Sequence, residues 1–330
     1  MLDKLREDIL QIVDTGAEQT LEMTHGLKLL RENADGVVEV EIYLADPKAA
    51  YANDIKNTIV RLVKLNYGYK GIKYKATSLK EKDTILERST RFLCIASGKG
   101  GVGKSTVTAN LALALSRMGY KVGIIDADIY GASLANIFEE HGEVMADEEG
   151  KIIPLEKEGI EFMSTSFFTE DKPLMWRGPL LSKMLQHYFY DTKWSKDLDF
   201  MLIDLPPGTG DVAIDIAHIA PKSKYLVVTT PHKSASNIAV KAGLGAKEMN
   251  IEIIGVVENM AFFPNSVNGQ KEYIFGKGGG DEVALKLQTD VLAQIPLGQP
   301  TGIYHSLFVN DEDDITNIYD ELAYRVAQRF

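Results

Sequence analysis

The stretch SGKGGVGKST, residues 97–106, decides the fold of this 330-residue chain. It contains the pattern G-x-x-x-x-G-K-[ST], in which glycines let backbone amides turn inward around phosphate oxygens. The apolar segment RFLCIAS (91–97) precedes it, and alanines and leucines at helical spacing follow it. A strand, a glycine loop and a helix in this order predict a nucleotide-phosphate site, because the helix N-terminus adds partial positive charge there.

Two side chains of this loop are expected to do chemistry. The Lys104 ammonium is placed to reach the β- and γ-phosphates of the nucleotide, and the Ser105 hydroxyl is placed to ligate Mg²⁺. The other loop positions are expected to hold the nucleotide, and they are Gly98, Gly100, Gly101, Val102, Gly103 and Thr106.

Carboxylates follow two other apolar segments. Asp204 ends one of them, where it can hold Mg²⁺ through water, and Gly208 beyond it can offer its amide to the γ-phosphate. Asp126 and Asp128 end another, where a carboxylate can orient the attacking water or hold a metal-bound water. The alternative for Asp126 and Asp128 is an ordinary role in a turn or at a helix N-cap.

The segment order predicts an α/β fold with a doubly wound, mostly parallel sheet. Continuous apolar strands that alternate with helical segments are typical of a sheet covered on both faces. The C-terminal segment has apolar residues at helical spacing and is expected to pack on this sheet. The strands are predicted at 91–97, 121–128, 199–208, 224–231 and 251–260, and the C-terminal apolar residues are Ile315, Ile318, Leu322 and Val326.

A smaller unit is predicted before this sheet. Residues 1–80 alternate helical and strand patterns and indicate a small α/β domain, 81–90 a charged linker, and 91–330 the nucleotide-binding domain. Within 1–80, helical patterns cover 1–14 and 46–66, and strand patterns cover 36–44 and 71–78.

Composition limits the function classes. The formal net charge of −11, without a Lys/Arg-rich run, disfavours DNA as a direct partner unless folding or dimerisation builds a basic patch. The only cysteine, Cys94, excludes a disulfide within the chain and a cysteine-rich metal site within one subunit. No apolar run approaches the ~18 residues of a membrane-spanning helix, and the N-terminus lacks a signal-peptide core. A cytoplasmic protein with no membrane association is expected.

Lys99 is a second lysine in the glycine loop, five residues before Lys104. With it, KGGVGKS resembles the deviant Walker A motif of the MinD/ParA/nitrogenase-iron-protein class. The resemblance implies a MinD-like P-loop NTPase fold, ATP hydrolysis and a homodimer in which Lys99 crosses the interface to the phosphates of the partner subunit. The alternative is a solvated loop lysine.

Further segments are similar to the Mrp/ApbC branch of this class: DADIYGAS, MWRGPLLSKML, DLPPGTGDVAIDI, TTPHKSA, VVENMAFF, FGKGGGDEVA and QIPLGQP. The resemblance implies that Asn259 hydrogen-bonds the adenine and that Pro296 and Leu297 border the base. It places Trp176 and Arg177 near a dimer interface, with a core tryptophan and a structural arginine as the alternative. The N-terminal unit fits the degenerate scaffold domain that this branch often carries.

The chain departs from this branch after VVENMAFF. Members that carry an iron–sulfur cluster have a C-x-x-C pair soon after this point, whereas this chain reads FFPNSVNGQKEYIFGKGGG. In that respect it is similar to the cysteine-free SalA-type subset, implicated in transcriptional regulation. The resemblance therefore implies a Mg-ATP-dependent switch with a regulatory role and an unidentified protein partner. The alternative is an accessory protein for iron–sulfur cluster transfer that acts without a cluster of its own. A membrane-surface role like that of MinD is disfavoured, since the C-terminus is not a basic amphipathic helix.

Overall fold

The computed structural model describes residues 1–79, 84–129, 131–148, 150–168, 178–265, 267–301, 303–310 and 312–330. These residues divide into two compact units, Met1–Thr84 and Ile85–Phe330. Trp176 and Arg177, expected near an interface, lie outside the described residues.

The smaller unit is an α/β domain whose sheet has the order β3-β4-β5. Its elements are α1 (Leu2–Leu10), β1 (Val13–Asp14), β2 (Gln19–Thr20), β3 (Leu27–Glu32), β4 (Val37–Leu44), α2 (Ala50–Arg61), a π-helical turn (Leu62–Asn66) and β5 (Gly71–Ser78). The alternating VVEVEIYL of β4 buries every second side chain in the core and turns the others to the opposite face. There Glu39 pairs with Arg31 of β3 at 2.8 Å and with Lys73 of β5 at 3.0 Å.

The larger unit alternates strands and helices. Its elements are a 3₁₀ turn (Ile85–Glu87), β6 (Arg91–Ser97), α3 (Lys104–Arg117), β7 (Val122–Asp126), α4 (Leu134–Phe138), β8 (Leu155–Lys157), β9 (Ile160–Met163), a 3₁₀ turn (Thr165–Phe168), α5 (Gly178–Tyr190), β10 (Phe200–Asp204), α6 (Asp211–Ile219), β11 (Lys224–Thr229), α7 (Lys233–Glu248), β12 (Glu252–Glu258), β13 (Phe263–Pro264), β14 (Lys271–Glu272), α8 (Gly279–Leu287), β15 (Val291–Gln294) and α9 (Asp314–Ala327).

Eight strands of the described chain form one sheet in the order β15-β12-β11-β6-β10-β7-β9-β8. Neighbouring strands are parallel except β8, which runs antiparallel to β9 at the edge. On β6, Leu93 and Ile95 pack into a core shared with α3 and α9, and Phe92 and Cys94 pack into a core shared with α5 and α6. Burial of both faces explains the continuous apolar strands and confirms the predicted doubly wound sheet.

The glycine loop leaves the sheet at a position suited to ligand binding. It follows β6, which lies between β10 and β11, and the chain continues from β6 to β7 on the far side of β10. In open parallel sheets, ligands bind at the carboxyl ends of the strands where the strand order reverses. The topology therefore brings the residues that follow β6, β7 and β10 to one edge.

Several boundaries differ from the sequence prediction. The predicted segment 199–208 runs past the end of β10 at Asp204, because the residues beyond it form a loop at the carboxyl edge. Within the region predicted as a linker, Ile85 is buried in the core beside α5 and α6, and Arg88 donates hydrogen bonds to the carbonyls of Trp194 and Ser195. This stretch therefore packs onto the larger unit. Among the described helices, none combines the length and the apolar character needed to cross a lipid bilayer.

Helix α7 is docked tightly against the beginning of the glycine loop. A β-carbon on Gly98 would lie 2.3 Å from the backbone nitrogen of Ala239 and 2.4 Å from the carbonyl carbon of Ile238. Real side chains do not tolerate such distances to backbone atoms. Gly98 is therefore required for the packing of α7 against the loop.

We expect Gly98→Ala to lower the free energy of unfolding by about 1–3 kcal/mol, because α7 must move to admit the methyl group. Gly100→Ala is the matched control, since a β-carbon there meets no heavy atom within 4 Å. Urea unfolding of the two variants measures the difference. Equal stability of both variants would contradict the tight docking of α7.

Candidate active site

The glycine loop reaches α3 through backbone conformations that favour glycine. Gly101 and Gly103 have φ values of +78° and +80°, in the left-handed region that L side chains rarely adopt. A β-carbon on Gly103 would also lie 2.2 Å from Asn259 Nδ2. That nitrogen donates a hydrogen bond to the Val102 carbonyl at 2.9 Å. The segment after β12 thus lies directly against the loop.

A buried ion pair joins the end of the glycine loop to β10, the strand beside β6 in the sheet. Lys104 Nζ lies 2.8 Å from Asp204 Oδ2, with side-chain exposures of 6% and 0%. The Ser105 hydroxyl donates to the same carboxylate oxygen at 2.5 Å, and the Thr108 hydroxyl lies 2.7 Å from Asp204 Oδ1. Every oxygen of this buried carboxylate is therefore hydrogen-bonded, as a buried charge requires.

Asp126 lies beside Asp204 but is less well satisfied. The two residues are partners in the register of β7 and β10. Asp126 is fully buried, and its Oδ2 accepts a hydrogen bond from Ser164 Oγ at 3.0 Å, while its Oδ1 has no hydrogen-bond partner. Burial first, and then the Asp204 carboxylate, raise the pKa of Asp126 to about 7.

Asp128 is half-buried and faces Lys104. Its Oδ2 lies 3.7 Å from Lys104 Nζ, and burial raises the pKa of its carboxyl group. Its backbone carbonyl accepts a hydrogen bond from the Gly131 amide at 2.9 Å. Asp128 therefore makes the backbone contact of a turn residue, which was the alternative to a catalytic role. Its carboxylate also lies beside Lys104.

The oxygen atoms at this edge suit Mg²⁺. The Ser105 hydroxyl and the Asp204 carboxylate already lie together, and hard oxygen donors are the ligands that Mg²⁺ prefers. Among the described residues, no group of three or more His, Cys, Asp or Glu side chains is placed to hold a metal ion. That result does not conflict with a Mg²⁺ site, because this ion is usually held by one or two carboxylates, waters and the phosphates themselves.

Lys99 points toward helix α7. Its Nζ donates to Ser234 Oγ at 3.3 Å, in the first turn of the helix. Lys104 instead contacts Asp204, Asp128 and Ser105. The two lysines of the loop thus contact different groups: Lys99 contacts helix α7 and Lys104 contacts two carboxylates. The sequence separates them by only five positions.

The residues expected around the base lie together. The backbone of Leu297 donates to the Phe262 carbonyl, and that of Ile295 donates to the Glu258 carbonyl, so the segment with Pro296 runs alongside the segment with Asn259. The Asn259 amide nitrogen is engaged with the loop, as described above, and its contact with adenine stays a prediction.

Gly208 is placed differently from the simple expectation. Its amide donates to the Ser97 carbonyl at 2.8 Å, so a contact with a γ-phosphate requires this hydrogen bond to break. Thr106 lies half-buried in the first turn of α3, and Gly100 is exposed. Their contacts with a nucleotide also stay predictions.

Two further residues, Thr108 and Ser164, belong to the site although no motif in the sequence marks them. Thr108 follows Lys104 by one helical turn, so the helical period places it on the same face of α3. Ser164 carries no such signal, because only the packing of β9 beside β7 brings its hydroxyl to Asp126.

The segment that begins at the last residue of VVENMAFF forms a two-stranded hairpin. Phe263–Pro264 pairs with Lys271–Glu272; Val267, between the two strands, and Ile274, just after them, are exposed. Cys94 is fully buried on β6, and burial raises the pKa of its thiol to about 12. A buried, protonated thiol is a poor ligand for iron, so the residues present do not fit an iron–sulfur cluster.

The match to a protein-family model shows which family this chain belongs to. Residues 88–325 match the ParA model described as NUBPL iron-transfer P-loop NTPase. The chain belongs to this family. It is therefore a nucleotide-binding P-loop protein and an ATP hydrolase, and the resemblance to the Mrp/ApbC branch is confirmed.

Relatives agree with this assignment. The chain is 42% identical over 259 residues to an iron–sulfur cluster carrier protein of Bacillus subtilis, covering 77% of this chain and 73% of that protein. It is 32% identical to a nucleotide-binding protein from Archaeoglobus fulgidus solved in complex with ADP, with a TM-score of 0.55, covering 71% of this chain and 87% of that one. The MinC:MinD cell division complex of Aquifex aeolicus, at 20% identity and a TM-score of 0.50, covers 72% of this chain and 96% of that one and shares the fold. None of these relatives supports the expected role in transcription.

We expect Asp126→Asn to stabilise the nucleotide-free protein by roughly 1–3 kcal/mol at pH 8 and by less at pH 5. The folded state holds the Asp126 proton more tightly than the unfolded state, whose pKa is near 3.8, so stability falls as pH rises toward 7. Asparagine removes the charge and keeps an acceptor for Ser164. Urea unfolding at the two pH values measures the effect, and a loss of stability at pH 8 would contradict this account of the carboxylate.

Proposed function

We propose that this ATP hydrolase works as a homodimer with two Mg-ATP molecules between its subunits, and that Lys99 of each subunit acts on the nucleotide of the other. The observation that carries the proposal is the separation of the two loop lysines. Lys104 is buried against Asp204 in its own site, whereas the Lys99 side chain contacts Ser234 of α7, outside that cluster. A cation that is not used by its own site is available to a second one.

Nucleotide binding requires an exchange of ion pairs. Lys104 is neutralised by Asp204 and Asp128 at 2.8 and 3.7 Å. A bound triphosphate would offer Lys104 a stronger anionic partner, and Asp204 and Ser105 would then hold Mg²⁺. The metal supplies charge neutralisation on the phosphates. Thr108 remains on Asp204 Oδ1 and fixes the orientation of the carboxylate during the exchange.

Asp128 is the better candidate for positioning the attacking water. It is partly exposed and lies beside Lys104, so it can reach a water near the γ-phosphate. Asp126 is fully buried and held by Ser164, which suits it to a supporting role behind Asp128. Positioning and charge neutralisation account for nearly all the catalysis in this type of reaction.

The cellular role that we propose is accessory work in iron–sulfur cluster transfer, with the cluster bound by thiolates of another protein. Support comes from the Bacillus subtilis relative, named as an iron–sulfur cluster carrier protein. The buried Cys94 thiol argues against ligation by this chain itself. ATP hydrolysis would then drive changes in the pairing of the two subunits or in their affinity for the cluster-bearing partner.

We expect Lys99→Ala to lower ATP turnover by about 10²–10³-fold with little change in nucleotide affinity, because its charge acts only when two subunits meet. Lys104→Ala should weaken nucleotide binding as well. Phosphate release and calorimetric titration measure the two quantities. Lys241→Ala, an exposed lysine on α7, is the charge-matched control. Full turnover in Lys99→Ala would contradict the role of Lys99 across the dimer.

Anaerobic reconstitution with iron and sulfide should leave no stable cluster on the purified protein. Iron content and visible absorbance after desalting measure this, with Cys94→Ser as the control for thiolate-bound iron. About four irons per dimer in the wild-type protein would contradict the proposed accessory role, because a bridging cluster needs thiolate ligands that this chain does not offer.

A further inference from the structure

Ser234 connects Lys99 to a histidine at the start of α7. Lys99 Nζ lies 3.3 Å from Ser234 Oγ, and Ser234 Oγ lies 2.9 Å from His232 Nδ1. An ammonium group only donates, so Ser234 Oγ accepts from Lys99. His232 Nδ1 accepts from the Ser234 amide at 3.2 Å and caps the helix, and in that tautomer the Ser234 hydroxyl donates to it as well. The three residues thus form a hydrogen-bond chain with one direction, from lysine to serine to histidine.

The backbone of Lys99 is fixed over this turn of the helix. Gly98 packs against the backbone of Ile238 and Ala239, and Ser97 Oγ donates to the Lys99 carbonyl at 3.2 Å. The direction of the Lys99 side chain from this backbone is set by its hydrogen bond to Ser234 Oγ.

Electrostatics alone would not keep Lys99 at this position. The N-terminus of α7 carries partial positive charge, and the exposed Lys233 adds a further cation beside it. The nucleotide of the same subunit would place several negative charges on the loop that contains Lys99, and they would attract its ammonium group. The neutral hydroxyl of Ser234 is the group that opposes this attraction.

We propose that Ser234, oriented by His232, is a positioning residue that keeps the Lys99 ammonium away from the nucleotide of its own subunit. The inference rests on the proposed role of Lys99 across the dimer. A lysine that turned inward would add an unneeded cation to its own site and leave the partner's phosphates without one. Loss of the Ser234 hydroxyl therefore lowers turnover and at the same time tightens nucleotide binding to a single subunit.

The test is Ser234→Ala, alone and combined with Lys99→Ala. We expect turnover to fall about three- to tenfold, and the affinity for ADP to rise about threefold. ADP is chosen because it lacks the γ-phosphate that the partner's lysine would contact. In the Lys99→Ala background, Ser234→Ala should leave the ADP affinity unchanged, because the effect acts through the Lys99 side chain. Ser234→Thr, which keeps a hydroxyl, should restore turnover.

Asn237→Ala, an exposed change on the same helix, is the control for general damage to α7. Unchanged turnover in Ser234→Ala, or ADP binding that weakens with or without Lys99, would overturn the positioning role. Full turnover in Lys99→Ala would instead refute the proposed function. A Lys99-dependent rise in ADP affinity would still support the positioning by Ser234 in that case, so the two failures are distinguishable.

Discussion

The buried ion pair between Lys104 and Asp204 is the interaction on which the site depends. Charges removed from water are tolerated only when they are paired and hydrogen-bonded. Here the lysine begins α3 and the aspartate ends β10, so the pair connects the glycine loop to the neighbouring strand. Ser105 and Thr108 complete the hydrogen bonds of the carboxylate. The same arrangement suits a nucleotide site. A triphosphate would take the place of Asp204 as the partner of Lys104, and Mg²⁺ would take the place of Lys104 as the partner of Asp204.

The parallel register of the sheet creates a second, unfavourable constraint. Because Asp126 and Asp204 are partners on adjacent strands, two carboxylates are brought together at the buried edge. Only one of them has the lysine as a close partner, and the other is left with an unpartnered oxygen. Strained or unsatisfied groups of this kind cluster at functional sites, where stability is sacrificed for chemistry. The hydrogen bond from Ser164 to Asp126 Oδ2 reduces the free-energy cost of burying this carboxylate, but Oδ1 remains without a partner.

The family match tells us about the nucleotide site of this chain, whereas its ability to bind an iron–sulfur cluster depends on which thiol ligands it exposes. The match over residues 88–325 establishes the P-loop machinery, and that machinery is present with its buried lysine, serine and aspartate. Handling of iron–sulfur clusters requires exposed thiolates as well, and the one cysteine is buried in the core of β6. Where the resemblance led us to look for a cysteine pair, the chain has a hairpin, with exposed apolar side chains at Val267 between its strands and Ile274 just after them. This chain therefore has the P-loop machinery without an exposed thiol that could bind a cluster.

The sequence by itself determined the parallel sheet and the phosphate loop, and it singled out Lys104, Ser105 and Asp204, whose side chains lie in contact. These features depend on local patterns: glycine spacing, apolar strands and the helical period. The tertiary structure decided what depends on long-range packing. It placed Ser164 against Asp126, docked α7 on Gly98, and directed Lys99 to Ser234, 135 positions later in the chain. The edge strand β8 and the packing of Ile85 on the larger unit likewise escaped the sequence, since short or charged segments carry weak periodicity. Local spacing predicts which residues lie in one loop, whereas the partners of their side chains are set by how distant segments pack together.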